Sequence, residues 1–555
     1  MKHLLLIILS LTNTALLFSQ QTVGLIQQDT GSTEGYILFA PAPSKNTYLI
    51  DKCGKLVHSW TGTYNPGLAV YLQPNGDLLR TGNLNNPNFI GGGRGGNLER
   101  YDWDNNLLWT YTISSNLVLQ HHDICPLPNG NILAIVWEKK TSAAAIAAGR
   151  DPSLVSGTLW SEKIIEIQPI GTDSGTTVWE WNLWDHLIQE FDATKSNYGA
   201  VVDFPELINF NYATLGTQQD WTHINSVDYN PELDQILLSA HNFSEIWIID
   251  HSTSTSEAAS HSGGNSGKGG DLLYRWGNPE AYNRGASNDR IFYTQHNAQW
   301  IKPGLPGAGN VLVFNNGSSR PDGDYSAVEE FTTPVDLNGN YPLANGQHYL
   351  PLHSLWTYTA PTPTDFFSHN VSGAQRLDNG QTVVCEGQKG KFFEIGANDS
   401  IVWTYINPVI STGPVNQGTV LALTTNSVFR CSFYSPDYSA FTGRTLSAGN
   451  PVESNPLPYT CDITVGTNEN NITESDIDVF PNPFINEFNI VSEYELREVT
   501  IQLTNSIGQL IAQKSLASIK ARSAIRFSFE KDFPSGIYYL SFVSENSVSN
   551  KILMK

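Results

Sequence analysis

The sequence predicts an all-β protein, a six-bladed β-propeller followed by a small C-terminal β-sandwich. Two signals recur between about residues 35 and 445: a hairpin turn rich in Pro, Asn and Gly, and a strand that contains tryptophan. The Asn-Gly step favours hairpins, because both central residues of the preferred turn adopt positive φ. Self-similarity of this type and length is typical of propellers, in which each blade is a small antiparallel sheet.

Six tryptophan strands set the predicted number of blades. They surround Trp60, Trp109, Trp179 with Trp181, Trp276, Trp356 and Trp403. The hairpin turns occur at 73–77, 127–131, 229–232, 302–304 and 377–380. The irregular spacing of the tryptophan strands indicates insertions between them. The segment 38–60, LFAPAPSKNTYLIDKCGKLVHSW, precedes the first full repeat, and we expect it to complete the last blade and close the ring.

The composition agrees with short strands joined by turns and argues against one class of function. The 555 residues include 46 Gly, 29 Pro and 14 Trp, and only 15% are charged, which favours turns over long helices. The net charge of −22 argues against a general nucleic-acid binder, because such proteins need a basic face. A small anionic ligand is compatible with this charge, since a local site can oppose the overall field.

The chain divides into four segments. Residues 1–20, MKHLLLIILSLTNTALLFSQ, predict a secretory signal peptide, because a basic start precedes a short apolar run. A membrane anchor is the alternative, although polar residues interrupt the run, and no other apolar run could span a bilayer. Residues 21–447 hold the predicted propeller, and the polar residues 448–475 predict a linker. Residues 476–555, which begin near VFPNPF, contain alternating strands and predict the sandwich.

Several stretches between the strands predict loops. The longest insertion, 138–219, contains TSAAAIAAG and WDHLIQEFDATKSNYG, for which we expect short helices. The segment 252–270 is rich in Ser and Gly and is expected to be mobile, with His261 a solvated loop residue. GGGRGGN at 91–97 lacks the Gly-Lys-Ser/Thr ending of a phosphate-binding loop and is expected to be a flexible surface loop.

The cysteines leave the disulfide pattern open. An exported chain with five cysteines has an odd number of them. Cys431 and Cys461 are close enough in sequence to pair, but the connectivity does not follow from the sequence. Cys385 lies within an apolar strand, which predicts a buried thiol.

Four histidines recur at nearly equivalent places before the hairpin turns. His122, His223 and His296 stand seven residues before their turns, and His369 stands ten residues before its turn. If the turns are equivalent, these histidines begin the same strand of four blades and converge at one mouth of the central channel. His121 lies beside His122 and points to the opposite face of the strand, so only one of this pair faces the channel.

Such a cluster is compatible with three kinds of function. A transfer enzyme would use a neutral histidine as nucleophile and a protonated one as donor to the leaving oxygen. Arg320 would add a positive charge suited to an oxyanion, with Asn315 and Asn316 to orient it. A metal-dependent hydrolase is the second kind, but no close-spaced ligand pattern accompanies the histidines. A non-catalytic propeller that binds glycans or surface partners is the third.

Five motifs in the same region carry a further signal. They are VWEWNLWDHL at 178–187, DWTHINSVDYNPELDQILLSAHNFSEIWIID at 220–250, TQHNAQWI at 294–301, VFNNGSSRP at 313–321 and FFSHNVSGAQRLDNGQTVVCEG at 366–387. Together they resemble the bacterial aryl-sulfate sulfotransferases. The resemblance implies a six-bladed propeller that moves a sulfuryl group from an aryl sulfate to a phenol. It also implies a ping-pong route through a sulfated histidine, with no nucleotide sulfate donor, no cofactor and no metal.

The motif order assigns roles by resemblance. His369 resembles the sulfated nucleophile of this family, and His223, His296 and Arg320 resemble the groups that hold the sulfuryl oxygens. His122 is a further candidate for substrate binding. The C-terminal stretches VFPNPF, GIYYLSF and KILMK are similar to the sorting domains that the type IX secretion system of Bacteroidetes recognises. This second resemblance implies that the secretion machinery is a partner and that the protein is secreted or placed on the cell surface.

Overall fold

The computed structural model describes residues 22–212, 219–457, 461, 477–492, 496–505, 510–520, 522–528, 534–544 and 547–555. The predicted signal peptide and most of the predicted linker lie outside the described residues. The chain divides into two compact units, Met1–Ile463 and Thr464–Lys555. The described residues contain two short α-helices, α1 (Ser142–Ala147) and α2 (Thr255–Ala258), and none of them is long and apolar enough to cross a membrane.

Short strands dominate the first unit. In chain order they are β1 (Gly24–Gln28), β2 (Tyr36–Pro41), β3 (Asn46–Asp51), β4 (Leu56–Thr61), β5 (Pro66–Leu72), β6 (Leu78–Asn83), β7 (Gly96–Tyr101), β8 (Leu107–Thr112), β9 (Val118–Pro126), β10 (Ile132–Lys140), β11 (Leu159–Ile170), β12 (Ser174–Asn182), β13 (Leu187–Ile188), β14 (Ile208–Asn209), β15 (Ile224–Asn230), β16 (Gln235–Ala240), β17 (Glu245–Asp250), β18 (Tyr274–Trp276), β19 (His296–Trp300), β20 (Val311–Asn315), β21 (Ala327–Phe331), β22 (Trp356–Tyr358), β23 (Gly373–Arg376), β24 (Thr382–Glu386), β25 (Lys391–Ile395), β26 (Ile401–Ile406), β27 (Val409–Ile410), β28 (Gly413–Pro414) and β29 (Val428–Tyr434).

Six antiparallel sheets account for most of these strands. Five of them are β5–β8, β9–β12, β15–β18, β19–β22 and β23–β26, and β1 is added to the outer edge of the fifth. The sixth sheet, in the order β29, β2, β3 and β4, joins the two ends of the unit. The first strands of successive sheets contact one another in the order β5, β9, β15, β19, β23 and β29, and β29 also contacts β5. The fold is therefore all-β and propeller-like.

The sixth sheet explains the early strand that precedes the first full repeat. The segment 38–60, expected to complete the last blade, supplies most of β2, all of β3 and all but the last residue of β4. Tyr36 lies opposite Tyr434, and Phe39 lies opposite Cys431. Hydrogen bonds of one ladder thus join residues almost four hundred positions apart, and neither end of the unit forms this sheet alone.

The repeated tryptophans link neighbouring sheets. Each lies on the fourth strand of its sheet and donates its indole N–H to an oxygen in or next to the turn that precedes the fourth strand of the next sheet. The pairs, with N···O distances of 2.7–3.2 Å, are Trp60–Asp102, Trp109–Ser174, Trp181–Gly270, Trp276–Pro351, Trp356–Asp399 and Trp403–Lys52. Each of the six sheets therefore donates one such bond and accepts one. A buried indole N–H needs a partner, which explains why tryptophan recurs at these positions.

The long insertion agrees with the prediction in part. TSAAAIAAG forms α1, which begins after Thr141, whose side chain accepts a hydrogen bond from the Ala144 N–H. The stretch that begins with WDHL was expected to form a helix, and this is wrong. Leu183–His186 is a single 3-10 turn, and β13 follows it because Leu187–Ile188 pairs in parallel with β14.

The disulfide differs from the pairing that the sequence suggested. Cys461 bonds to Cys53 and not to Cys431, across a sequence separation of 408. Sequence distance was misleading, because the pairing of β29 with β2 brings the end of the unit back to the β3–β4 turn, where Cys53 lies. Cys385 is a buried free thiol as predicted, and Cys125 and Cys431 are also buried and free.

The second unit has its own core. Its described strands are β30 (Ile477–Phe480), β31 (Glu487–Ser492), β32 (Leu496–Asn505), β33 (Leu510–Ile519), β34 (Ile525–Ser528), β35 (Ile537–Ser544) and β36 (Ser547–Met554). They form a three-stranded sheet, β30-β31-β34, and a four-stranded sheet, β33-β32-β35-β36. Phe488 and Ile490 of one sheet and Ile501 and Leu540 of the other belong to one buried apolar cluster, as two packed sheets require.

Candidate active site

Three of the four predicted histidines lie at or near the start of neighbouring first strands, whereas His122 lies in the middle of its strand and not at its start as expected. His122 lies within β9, His223 immediately precedes β15, His296 begins β19, and His369 lies four residues before β23. These are the first strands of successive sheets, and each contacts the next. Three of the four, together with His241, form a continuous row of imidazole rings.

The row crosses three neighbouring sheets, with short distances between successive rings. The ring centroids of His122 and His223 are 4.4 Å apart, those of His223 and His241 are 4.9 Å apart, and those of His241 and His296 are 5.2 Å apart. Burial lowers the pKa of His241 well below its usual value, and the charges of the neighbouring histidines, His369 among them, lower it further. We call these five residues the histidine cluster.

His241 is a residue that the sequence analysis missed. It begins a 3-10 turn directly after β16. Ile224 pairs with Ala240 in the β15–β16 hairpin, so His223 and His241, the next residue outward on each strand, are neighbours across the hairpin. Counting outward from the turn would have placed Asn242 opposite His223, because a β-bulge between Ile224 and Ser226 shifts the register by one residue.

His223 is paired with a carboxylate that the sequence analysis also missed. The His223 Nδ1–H donates to Asp220 Oδ2 at 2.5 Å. Burial alone would lower the pKa of His223, but the charge and the hydrogen bond of Asp220 outweigh it, so the pKa is raised. His223 therefore stays protonated to a higher pH than an ordinary histidine, whereas three other histidines of the row have lowered pKa values.

His122 ends a buried chain of three side chains. Its Nδ1 is 2.8 Å from His121 Nδ1, and His121 Nε2 is 2.8 Å from Glu162 Oε2. His121 turns away from the cluster and stacks on Trp137 with ring centroids 3.8 Å apart. Burial lowers the pKa of both histidines well below the usual value and raises the pKa of Glu162 well above it. A proton that shifts along this chain changes which nitrogen of His122 carries a hydrogen.

The glycine-rich stretch 91–97 contacts the site, so the expectation of a flexible surface loop is wrong. The His122 N–H donates to the Gly93 carbonyl at 2.7 Å, and Arg94 forms a β-bridge with His121. A Cβ on Gly93, which has φ of 81°, would lie 2.2 Å from His122 Nε2. Glycine is needed at this position because the imidazole packs directly against the backbone.

Two histidines of the cluster have unusual backbone geometry. His122 has φ of 49° and His223 has φ of 52°, both in the left-handed region. Residues other than glycine are rare in that region, because each one there lowers the stability of the folded protein by roughly 1–3 kcal/mol. The flanking strands hold these conformations, which aim both imidazoles toward each other.

His296 holds the loop that carries His369. The His296 Nδ1–H donates to Asn316 Oδ1 at 2.7 Å, and its Nε2 accepts from the Val371 N–H at 3.1 Å. The amide of Asn316 donates to the carbonyls of Ser368 and Val371. Burial is the largest cause that lowers the pKa of His296 to about 3, so the ring is neutral and both nitrogens are engaged.

His369 is exposed and has one free ring nitrogen among its described contacts. Ser318 Oγ lies 2.9 Å from His369 Nδ1 and 3.2 Å from the His369 carbonyl oxygen. A carbonyl only accepts, so all three groups are satisfied when the hydroxyl donates to the carbonyl and Nδ1–H donates to the hydroxyl. The lone pair is then on Nε2, which faces away from Ser318. The His369 N–H is also bonded, to Gln388 Oε1 at 2.8 Å.

Arg320 lies in the same loop as Ser318 and Asn316. Its guanidinium lies over Tyr325 and Tyr293, 4.5 Å and 5.3 Å from the ring centroids, and its Nη2 is buried without a hydrogen-bond partner in the described structure. Within the described part of the chain, no hydrogen bond or ring contact joins it to the histidine cluster. The expected orientation of Arg320 by the two asparagines is wrong for Asn316, which binds His296 instead.

A second buried arginine, absent from the sequence-based candidates, lies close to the cluster. Arg430 of β29 forms an ion pair with Asp123 and a hydrogen bond with Tyr71. Arg430 and Tyr71 line a cavity of about 80 Å³ between the first strands. The positive charge of Arg430 helps to lower the pKa of His296, so this part of the channel opposes protonation of that histidine.

Comparison with protein families gives two matches. The family described as arylsulfotransferase (ASST) matches residues 24–409, and the family described as secretion system C-terminal sorting domain matches residues 478–555. No curated protein matches the chain.

Several solved structures are similar to this chain at low identity. A protein of unknown function from Bacteroides caccae is 12% identical, covers 72% of this chain and 98% of its own, and has a TM-score of 0.38. A protein from Lactobacillus plantarum is 12% identical, with coverage of 73% and 100% and a TM-score of 0.37. The periplasmic gluconolactonase of Pseudomonas aeruginosa is 11% identical, with coverage of 92% and 99% and a TM-score of 0.34. At these TM-scores the likeness carries no information about activity.

Proposed function

Because the chain belongs to the arylsulfotransferase family, we propose that it transfers a sulfuryl group from an aryl sulfate to a phenol through a sulfated His369. The observation that carries this proposal is the contact between Ser318 and His369. It holds the imidazole as the Nδ1–H tautomer and leaves an exposed lone pair on Nε2, which is what a nucleophilic histidine needs.

The first half of the reaction sulfates the enzyme. His369 Nε2 attacks the sulfur, the N–S bond forms, and the bond between sulfur and the aryl oxygen breaks with its electron pair on that oxygen. His223 is the proposed acid, because Asp220 keeps it protonated and a proton on the leaving oxygen makes the phenol a good leaving group. His223 is neutral when the phenol departs.

The second half returns the enzyme to its starting state. Neutral His223 takes the proton of an acceptor phenol, the phenol oxygen attacks sulfur, and the bond between sulfur and His369 breaks. Donor and acceptor thus use the same groups in reverse order, which gives ping-pong kinetics. No step uses a nucleotide sulfate donor, another cofactor or a metal.

Three further residues are proposed to bind the sulfuryl oxygens. Arg320 Nη2 is buried without a hydrogen-bond partner in the described structure, with Glu329 Oε1 3.9 Å away, and an oxyanion would supply that hydrogen bond. His122 presents Nε2 beside His223. His296 has both nitrogens engaged in the free protein, so it reaches an oxygen only when its bond to Val371 is replaced. An arriving anion would favour that exchange, because it stabilises a protonated imidazole.

The scaffold is proposed to be a closed, six-bladed propeller over residues 21–447. Six sheets with contacting first strands support this count, and so does the cycle of six indole hydrogen bonds. The sorting domain indicates export, to the cell surface or the medium. We further propose that residues 1–20 are a cleaved signal peptide, that 448–475 is a linker and that 476–555 is recognised by the type IX secretion machinery.

The test is to locate the covalent intermediate. Wild type and the variants His369→Ala, His223→Ala, His296→Ala and Arg320→Ala are exposed to a chromogenic aryl sulfate without acceptor, quenched and mapped by mass spectrometry. His353→Ala is the control, because His353 is also exposed but lies outside the histidine cluster.

The sulfuryl mass should appear on His369 in wild type and in the control. His369→Ala should carry none and should lose several orders of magnitude in rate, each order being about 1.4 kcal/mol of barrier. The other three variants should each lose roughly 10²–10³ in rate and still form some sulfated enzyme. Sulfuryl mass on another histidine, or a full burst of phenol from His369→Ala, would show that His369 is not the nucleophile.

A further inference from the structure

We propose that His186, His261 and Asp271 form a divalent metal site, with zinc as the ion that best matches their donor atoms. The site lies outside the histidine cluster, and no contact among the described residues links the two. It does not depend on the proposed function. Three segments meet here. His186 ends the 3-10 turn Leu183–His186 after β12, His261 lies in the loop after α2, and Asp271 lies three residues before β18.

Three donor atoms converge at this place. His186 Nδ1 and His261 Nδ1 each lie 2.8 Å from the same oxygen, Asp271 Oδ1. All three ligand atoms lie within 4.8 Å of one another. Two imidazoles and one carboxylate are a common ligand set for zinc, which leaves the remaining position for water.

The hydrogen bond on the far side of His186 makes the arrangement unusual. His186 Nε2 lies 2.8 Å from the Ala258 carbonyl oxygen, and a carbonyl only accepts, so Nε2 carries a hydrogen. In a neutral ring Nδ1 is then a lone pair, and it faces the carboxylate of Asp271. Two acceptors at this distance repel each other, and a cation that binds both would remove the repulsion. A bond from the other ring nitrogen to a backbone carbonyl is also how metal-bound histidines are usually oriented.

Burial differs between the two imidazoles of the site. The side chain of His186 is fully buried and stacks on Trp181, with ring centroids 5.7 Å apart, whereas 62% of the His261 side chain is exposed. Of the two imidazoles, His261 is therefore the freer to move. Zinc bonds of about 2.0–2.1 Å at tetrahedral angles place ligand atoms about 3.3 Å apart, so each Nδ1 must move roughly half an ångström away from Asp271 Oδ1 when the ion binds.

The position of the site gives the ion a function. Trp181 donates to the Gly270 carbonyl at 2.7 Å, which is the indole bond between the second and third of the sheets listed above. Gly270 precedes Asp271, and His186 follows Trp181 by five residues. An ion here would fix the Ser- and Gly-rich segment 252–270 onto that junction. The sequence analysis treated His261 as a solvated loop residue, and its hydrogen bond to Asp271 was not expected.

The test uses the whole protein, stripped of metal with a chelator and titrated with zinc chloride. Metal content by mass spectrometry, affinity by calorimetry and the Tm are compared for wild type, His261→Ala, Asp271→Asn and the control His353→Ala. Because His261 is mostly exposed, its variant should fold normally, which circular dichroism checks.

Wild type and His353→Ala should bind one zinc ion per chain and gain thermal stability from it. His261→Ala and Asp271→Asn should lose at least about 100-fold in affinity, since even an outer-shell partner contributes 10- to 100-fold. They should also show no rise of Tm with zinc. Absence of stoichiometric binding in wild type, or binding that His261→Ala leaves intact, would overturn the proposal.

Discussion

Replacing Asp220 with asparagine should change the charge state of His223 while leaving the position of its imidazole nearly unchanged. Asp220 Oδ2 accepts the His223 Nδ1–H at 2.5 Å. Asparagine has nearly the same shape and keeps an oxygen acceptor, but it removes the negative charge. The pKa of His223, which Asp220 raises against the effect of burial, should then fall, and the proposed acid should lose its proton at a lower pH.

The magnitude follows from the type of hydrogen bond that is weakened. A hydrogen bond to a charged group contributes about 1.5–3 kcal/mol, which corresponds to roughly 10- to 150-fold in rate. The loss should be largest for donors with poor leaving groups, because these depend most on protonation of the aryl oxygen. His369 keeps its contact with Ser318, so sulfated enzyme should still accumulate.

The assay is the pH dependence of kcat/KM for aryl sulfates of different leaving groups. His223 has a raised pKa, so its protonated form persists above the usual range and is lost as pH rises through the folded pKa. The alkaline decline of kcat/KM should therefore begin at a lower pH in Asp220→Asn than in wild type. The same sign applies to stability: the contribution of the pair is complete below the usual histidine pKa and disappears at higher pH.

Asp234→Asn is the matched control. His251 Nδ1 donates to Asp234 Oδ1 at 2.7 Å, and Asp234 with Glu166 raises the pKa of His251 to about 9 against the effect of burial. This pair has the same chemistry but lies outside the histidine cluster, so its loss should leave the pH profile of transfer unchanged. An unshifted profile in Asp220→Asn, or an equal shift in both variants, would refute the assignment of His223 as the acid.

Three further predictions concern the buried chain, the disulfide and the sorting domain. Glu162→Gln should lower kcat by roughly 5-fold with little change in KM, since one buried hydrogen bond contributes about 1 kcal/mol; unchanged kcat in steady-state assays would argue against a role of this chain in catalysis. Cys461→Ser should lower the free energy of unfolding by about 2–4 kcal/mol. Urea titration checks this, and a midpoint equal to that of the oxidised wild type would contradict it. Deletion of 476–555 should leave a folded, active enzyme in the periplasm, and normal amounts of the deleted form at the surface, measured by fractionation, would contradict the sorting role.

The tryptophan pattern shows how far the sequence reaches in predicting this fold. It indicates repeated sheets because each tryptophan recurs in a similar strand. It does not show the partner of each indole, because that partner is an oxygen in the next sheet, such as Asp102 for Trp60. Backbone oxygens leave no mark on residue identity, so bonds of this kind emerge only from the folded chain.

The candidate site was predictable where a residue repeats and not where it only supports another. His122, His223 and His296 were found by their distance to the turns, and the structure brings these three together. Asp220 and Glu162 were missed because single carboxylates are common in the sequence. Their partners depend on which side chains a particular strand end brings together.

The sixth sheet sets the order in which the first unit can be completed during synthesis. Each of the other sheets takes its four main strands from one continuous stretch, so it can form as that stretch appears. The sheet of β2, β3 and β4 must wait for β29, which ends at residue 434. Until then the edge of β2 that faces away from β3 has unpaired backbone groups. An exposed strand edge of this kind promotes aggregation. The sorting domain follows the first unit in the chain, so the strand that completes this sheet is synthesised before the sorting domain.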